Sequence, residues 1–523
     1  MESSIEVEIV VLMMVIVSVA MSVRYFSKLP YTIALIFAGI ILSFFHTFPD
    51  IQLTPELIFH ILLPPLLFEA AFNLNANESK ANIKPILIYA VFGVIVSTFV
   101  IGFFLYTIFP MFHINNQVIP LVALLLFGAV ISSTDPISVL AIFKELGVPT
   151  RLSSIIEGES LLNDGISVVI FGIISSIAIE HHQFSLIEGI KDFVIVAFGG
   201  AIVGTILGLT FSRITALIDD HLIEITLTTV VTYLTYIIAE YFEVSGVIAV
   251  IFAGLMVGNY GVKIGMSPTT RVSVKDFWEY IAFVINSVVF FIIGLEVSKI
   301  DFFSNYYYIA LGIVAVLVGR VVSIIVLTPI ISILDKQIEV KWQSIFIWGG
   351  VRGALAMALA LAIPKEYEYR DMILIMTFGV VGFSLIIQGL SIGKLLSLLR
   401  IGGKDKKLEK YEYEKGKLIA LSKASQELEL MYQEALISEQ VYKTLLQYQT
   451  HNLNTAKNIM EELVQDSNVR DYEFKTSLKR LYSKQKDSIQ DAMKHGIISN
   501  ASGEKLIALI NKEILHSYSN KNS

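Results

Sequence analysis

A chain of 523 residues that is 54% hydrophobic and only 16% charged is too apolar for a soluble fold, because soluble domains carry about 25% charge. With a mean hydropathy of +0.69 it reads as a protein that crosses a bilayer many times. It has no cysteine, which excludes disulfides and thiolate metal sites, and its net charge of −7 says little because the charged residues gather at the C-terminal end.

The first residues, Met1-Glu2-Ser3-Ser4-Ile5-Glu6, are acidic, unlike the basic start of a signal peptide, so the first apolar run is expected to remain as a membrane helix. Apolar runs near spanning length lie at roughly 6–23, 29–45, 53–73, 85–109, 117–143, 154–179, 190–212, 222–240, 243–259, 277–297, 305–333, 342–363 and 372–398, which makes about thirteen spans. Every second loop is basic: Arg24 and Lys28; Lys80 and Lys84; Lys144 and Arg151; Arg213; Lys263, Arg271 and Lys275; Lys336 and Lys341; then Lys394 and Arg400. The alternate loops are poor in basic residues, with Lys191, Lys299, Lys365 and Arg370 as exceptions. The positive-inside rule then puts the N-terminus outside and the C-terminus in the cytoplasm, which requires an odd number of spans.

Two neighbouring runs carry acids that are costly in lipid. A carboxylate at mid-membrane costs about 3 kcal/mol on insertion scales and is a functional-site hypothesis by default. In the fifth run, Ser132-Ser133-Thr134-Asp135-Pro136 breaks the helix. Pro136 has no N–H, its ring clashes with the carbonyl of Ser132, and it pushes Asp135 out of the helical region. Breaks at this depth are tolerated only against protein or a watery cavity, and secondary transporters build ion sites from the backbone groups so freed. A proline kink with a solvated Asp135 is the plainer alternative.

In the sixth run, Ser160 and Asp164 are four apart and share a helix face, as do Glu159 and Asn163 on the adjoining face. The first face offers an ion a hydroxyl and a carboxylate. The second holds an internal polar pair that needs a cation, because a lone buried Glu159 is too costly as an anion. Arg320 and Arg352 are the basic residues inside apolar spans, and either could be that partner; Arg352 could instead snorkel to the interface. Glycines at 349, 350 and 353 around Arg352 suggest a second broken or closely packed helix. Glu69, just after Pro64-Pro65, is a further intramembrane acid that either lines the same cavity or sits near the cytoplasmic exit. Glu296, close to a helix end, reads as an interface acid.

A carboxylate buried this way holds a proton or a monovalent cation, never both, and that competition is an exchange mechanism. The hard oxygen ligands of Asp135, Asp164, Thr134 and Ser160, with free carbonyls and water, suit sodium or lithium. No histidine lies in the two segments, so imidazole-metal catalysis is not indicated. An intramembrane aspartyl protease also has two aspartates on adjacent spans, but its Tyr-Asp and Gly-x-Gly-Asp contexts are missing here. A passive cation channel would need a repeated filter sequence, and none is present.

After Arg400 the chain changes character. Residues 404–414 read as a charged linker. Beyond it, Leu421, Ala424, Leu428, Met431 and Ala435 stand at helical spacing, and Ser438 looks like the cap of a new helix. The fold class is therefore an all-α polytopic membrane protein, with a transmembrane domain at 1–400 and a small helical cytoplasmic domain at 401–523. A regulatory or dimer-stabilising tail and a merely solvated one fit that composition equally. No zinc, phosphate or nucleotide motif appears there, and no cofactor, nucleic-acid partner or enzymatic activity is expected.

Ser133-Thr134-Asp135-Pro136, Glu157-Gly158-Glu159-Ser160-Leu161-Leu162-Asn163-Asp164-Gly165 and Gly350-Val351-Arg352-Gly353-Ala354, in this order and spacing, resemble the monovalent cation/proton antiporter-1 family. That family includes the NhaP antiporters, the animal sodium/proton exchangers and the plant salt-overly-sensitive antiporters, and the likeness runs over roughly 5–400. Pro64-Pro65 with Phe68-Glu69 also resembles the family's third span. The resemblance implies thirteen spans in two inverted repeats with crossed broken helices. It implies a homodimer with a panel domain and a moving core, and exchange of Na+, or of Li+ or K+, for H+ at the plasma membrane, in the service of pH homeostasis and salt tolerance. It implies that Thr134, Asp135, Ser160 and Asp164 bind the ion, with Asp164 the main carboxylate and Asn163-Asp164 marking the electroneutral class. It further implies that Glu159, Asn163 and a membrane arginine, Arg320 before Arg352, form a structural network beside the site.

Overall fold

The computed structural model describes residues 5–26, 31–44, 56–112, 119–179, 186–218, 220–298, 305–402, 406–494, 496–499, 501–507 and 509–510. Of the positions discussed above, Met1 to Ser4, Lys28, Lys299, Lys404 and Asp405 lie outside them. The described residues are helical, with no strand among them, and the chain forms two compact units, residues 1–403 and 404–523.

The first unit contains α1 (Ile5–Phe26), α2 (Tyr31–Ser43), α3 (Leu57–Asn73), α4 (Ile83–Met111), α5 (Leu121–Ile131), α6 (Ile137–Leu146), α7 (Thr150–Ile179) and α8 (Leu186–Thr215). It continues with α9 (His221–Tyr241), α10 (Gly246–Gly261), α11 (Pro268–Ser298), α12 (Tyr306–Leu334), α13 (Val340–Trp348), α14 (Ala354–Leu361) and α15 (Arg370–Leu399). Seven helices among the described residues are long and apolar enough to cross a membrane, and shorter apolar helices occupy other runs. Two runs are each split into a pair of half-helices, α5/α6 and α13/α14. The same order of long helix, broken pair, long helix thus occurs twice, as α4 to α7 and as α12 to α15.

Packing sorts these helices into two groups. One holds α1 to α3 and α8 to α11; the other holds α4 to α7 and α12 to α15. Within each group, small residues let backbones approach closely, which is how helices associate when lipid supplies no hydrophobic driving force. The second group carries both breaks.

The second unit holds α16 (Lys406–Gln433), α17 (Glu439–Leu463) and α18 (Ser467–Lys494). Ser438 caps α17, its hydroxyl accepting from the Val441 N–H. Two readings of this region need correction. From Lys406 onward the charged stretch is not a linker but the first turns of α16, where Lys and Glu are good helix formers. Tyr411 and Glu414 are buried there, and the Tyr411 hydroxyl donates to Glu473 of α18 at 2.8 Å. Ala435 is not helical: α16 ends before it, and Ala435 takes a left-handed φ of 57° while the Leu436 N–H closes on the Met431 carbonyl at 2.9 Å.

Candidate functional site

Residues 132–136 and 349–353 are the two unwound segments, and they touch. The Asp135 N–H donates to the Val351 carbonyl at 2.6 Å, so two chains freed from helical bonding satisfy each other. The Arg352 guanidinium donates through Nη1 to the carbonyls of Ser132 and Ser133 at 2.8 and 2.9 Å. Those carbonyls lie at the C-terminal, electronegative end of α5, so Arg352 neutralises a helix dipole there. It is 1% exposed, which rules out snorkelling. Its own N–H is held by the Ser384 hydroxyl of α15 at 2.8 Å, within a π-turn of that helix.

Asp135 plays the opposite part. Its Oδ1 accepts from the Ile137 N–H at 3.0 Å, capping α6 at its electropositive end. The backbone of Gly353, just before α14, presses on the same carboxylate: a Cβ at 353 would run into the Asp135 Oδ2, Cβ and Cγ atoms. Two helix N-termini therefore face Asp135. A glycine is required at 353 by space alone.

From α7, three residues reach the first break. Asn163 Nδ2 donates to Thr134 Oγ1 at 2.6 Å, and the Thr134 N–H donates back to Asn163 Oδ1 at 3.3 Å. The Ser160 hydroxyl donates to the Thr134 carbonyl at 2.5 Å. Asp164, next along, lies within electrostatic reach of Asp135, and among the described residues none donates a hydrogen bond to it. The expected internal pair of Glu159 with Asn163 does not form, because each has a different partner. Glu159 Oε1 takes Arg320 Nη1 at 2.5 Å, with the two side chains 2% and 8% exposed, while Arg320 Nε donates to the Phe346 carbonyl at 2.9 Å at the end of α13. Arg320 is thus the arginine beside Glu159, and Arg352 serves the carbonyls of the break.

Glu69 does not reach this cluster. It is half-buried on α3, accepts from Asn73 Nδ2 at 2.6 Å, and the charges acting on it are Glu279, Glu157 and Lys275. Ser384 is a residue of the candidate site that sequence reasoning passed over, whereas Val351 and Gly353 stand in the 350–354 motif. Ser384 stands in an ordinary apolar run, and only its position opposite Arg352 distinguishes it.

The charges at the site sum simply. Arg320 cancels Glu159, Arg352 sits on an electronegative helix end, and Asp135 sits on electropositive ones. Asp164 has no such partner. Beside Asp164 the cluster offers oxygen ligands, namely the Asp135 carboxylate, the Thr134 and Ser160 hydroxyls and backbone carbonyls, together with the Asn163 amide and the Arg352 guanidinium.

The profile of the family described as "Sodium/hydrogen exchanger, transmembrane" matches residues 10–398. The Na(+)/H(+) antiporter ApNhaP of Aphanothece halophytica is 39% identical over 381 residues, covering 72% of this chain and 71% of that protein. The Na(+)/H(+) antiporter NhaG of Bacillus atrophaeus is 34% identical over 501 residues, covering 93% of both, a match long enough to include much of the tail. The solved structure of the sodium proton antiporter MjNhaP1 from Methanocaldococcus jannaschii superposes with a TM-score of 0.63 at 19% identity, covering 76% of this chain and all of that one; this likeness is one of fold.

Proposed function

The chain belongs to the sodium/hydrogen exchanger family, and from that premise we propose that it exchanges one Na+ for one H+ across the plasma membrane at Asp164. It is a multi-pass membrane transporter and not an enzyme. The observation that carries the assignment to Asp164 is the charge inventory: this is the one carboxylate of the cluster with neither an arginine nor a helix end to neutralise it. A proton or a sodium ion supplies the missing charge, and each excludes the other. When Na+ binds, Asp135, Thr134 and Ser160 complete an oxygen shell around it.

One unmatched carboxylate carries one charge in each direction. With Asn163 neutral beside it, the cycle moves one cation per proton and no net charge. The helix group α4 to α7 with α12 to α15 then moves against the other group to open the site to either side. Thirteen spans, an external N-terminus and a cytoplasmic tail follow from the alternation of basic loops. A homodimer, Li+ or K+ as alternative cargo, and a part in salt tolerance and pH homeostasis rest on the family resemblance.

The test is made with purified protein in vesicles that carry a pH gradient. Adding Na+ dissipates the gradient, and the absence of any sodium-driven proton movement would remove the proposal. Competition gives a sharper signature. As external pH falls, the apparent KM for Na+ rises in proportion to proton concentration while the rate at saturating Na+ holds; a fall in the saturating rate with unchanged KM would place the proton elsewhere. Lithium and potassium series in the same vesicles rank the cargo.

Gly353→Ala tests the crossing. A methyl group here displaces Asp135 or opens the crossing of the breaks. Overpacking costs about 1–3 kcal/mol, so exchange is expected to drop about tenfold or more without loss of the folded dimer or monomer on size exclusion. An unchanged rate would show that the two breaks are not held together as described.

A further inference from the structure

Thr32 of α2 and Ser138 of α6 form a hydrogen bond, hydroxyl to hydroxyl, at 2.7 Å. Both side chains are buried, at 7% and 4% exposure. They belong to different helix groups: α2 packs on α11 in the first, and α6 lies in the second, which carries the breaks. Other side-chain hydrogen bonds between the helices, such as Tyr31 to Ser287, Trp278 to Thr228, Lys84 to Leu334 and Trp348 to Ser391, stay within a group, while Asn259 of α10 accepts from the Ala76 N–H at 3.0 Å in the connection that leads to α4.

The position of this bond matters as much as its partners. Ser138 is in the first turn of α6, three residues after Asp135, and the α6 N-terminus holds the Asp135 carboxylate through the Ile137 N–H. A hold on Ser138 is therefore a hold on the half-helix that aims Asp135. We propose that the Thr32–Ser138 hydrogen bond is a latch between the two helix groups, made in this conformation and broken each time the site moves. Thr32 is then a positioning residue that acts on the cation site from the opposite group. The inference rests on the two-group movement described above.

The bond sets a bias. A buried neutral hydrogen bond is worth about 1 kcal/mol net, or about fivefold in the equilibrium between the latched state and the other. Breaking it costs little enough for turnover and is large enough to shift apparent cation affinity.

The absence of native cysteine makes a direct test clean. Hydroxyl oxygens 2.7 Å apart stand close to where the two sulfurs of a disulfide, roughly 2 Å apart, would lie. The double variant T32C/S138C, oxidised with copper phenanthroline in vesicles, is expected to cross-link and stop exchanging Na+ for H+, and dithiothreitol is expected to restore exchange. Exchange persisting in protein with no free thiol would overturn the latch, and so would failure to cross-link. Wild-type protein that does not exchange at all would instead sink the transport reading, leaving the cross-link to report on the bond alone.

A second set of variants decides the matter if the double cysteine variant does not exchange when reduced. T32V, S138A and T32V/S138A are each expected to shift the apparent KM for Na+ about fivefold by the same amount, because either single change already removes the bond. T32S, which keeps the hydroxyl, is expected to behave as wild type. Additive shifts, or a T32S shift as large as that of T32V, would show that packing and not the bond is responsible.

Discussion

Asp164→Asn reduces sodium-driven proton movement to the level of protein-free vesicles. Asparagine has nearly the shape of aspartate, and in the structure no described group depends on the Asp164 carboxylate for a hydrogen bond, so the fold has little reason to notice the change. The amide neither takes up a proton at accessible pH nor offers a negative charge to Na+. Both halves of the cycle are lost together. The outcome to compare is Asp135→Asn. The Asp135 Oδ1 caps α6 through the Ile137 N–H, and an asparagine oxygen serves that bond nearly as well. Asp135→Asn therefore keeps a folded, exchanging protein with weakened Na+ affinity, seen as a raised KM. If Asp164→Asn still exchanges and Asp135→Asn does not, the roles of the two carboxylates are the reverse of those assigned here.

The second large effect concerns Glu159 and Arg320. Their ion pair is almost fully buried, and its carboxylate and guanidinium are 2.5 Å apart. Removing one member of such a pair leaves an uncompensated charge, which costs about 3–5 kcal/mol. Glu159→Leu alone is expected to lower the melting temperature in detergent sharply, along with the yield of folded protein. Removing both members is a different matter, because well-packed apolar residues often replace a buried pair at no cost. Glu159→Leu with Arg320→Met is expected to recover most of the lost stability. The double variant also separates stability from transport. Arg320 Nε holds the Phe346 carbonyl at the end of α13, so loss of the guanidinium loosens the second break even in a stable protein, and exchange stays impaired. A double variant as unstable as Glu159→Leu would show that the pair is needed for more than charge balance.

The roles of the two arginines show where sequence reasoning reaches its limit. The sequence suggests that one of them pairs with Glu159, with the family resemblance favouring Arg320, and it leaves Arg352 free to snorkel to the interface. Residue spacing alone does not choose between them, because Glu159 and Arg320 are 161 residues apart and their meeting depends on how α7 and α12 are packed. Arg352, read as a candidate for Glu159 or for the interface, turned out to lie on the Ser132 and Ser133 carbonyls because the second break crosses the first. Asn163 was likewise placed on the correct helix and given the wrong partner: spacing along one helix shows which residues share a face, but not what that face meets. In the tail, the misread linker has a related cause. High charge resembles a solvated linker until a second helix covers one of its faces, as α18 does at Tyr411.

Composition and local chemistry determined the class of the protein. A 54% hydrophobic chain with no cysteine must satisfy its backbone within apolar runs, and Pro136 must break the run that contains it, whatever the rest of the chain does. The acids at 135 and 164 marked the candidate site for the same reason, since charge in lipid is costly and a functional-site hypothesis by default. Only the tertiary structure decided how the charges cancel. Helix ends, carbonyls and guanidinium groups from segments about 200 residues apart converge on the crossing of two unwound stretches, as between Arg352 and Ser132 with their separation of 220. Electrostatic pairing depends on distance in space, and that distance is set by the packing of helices rather than by their order along the chain.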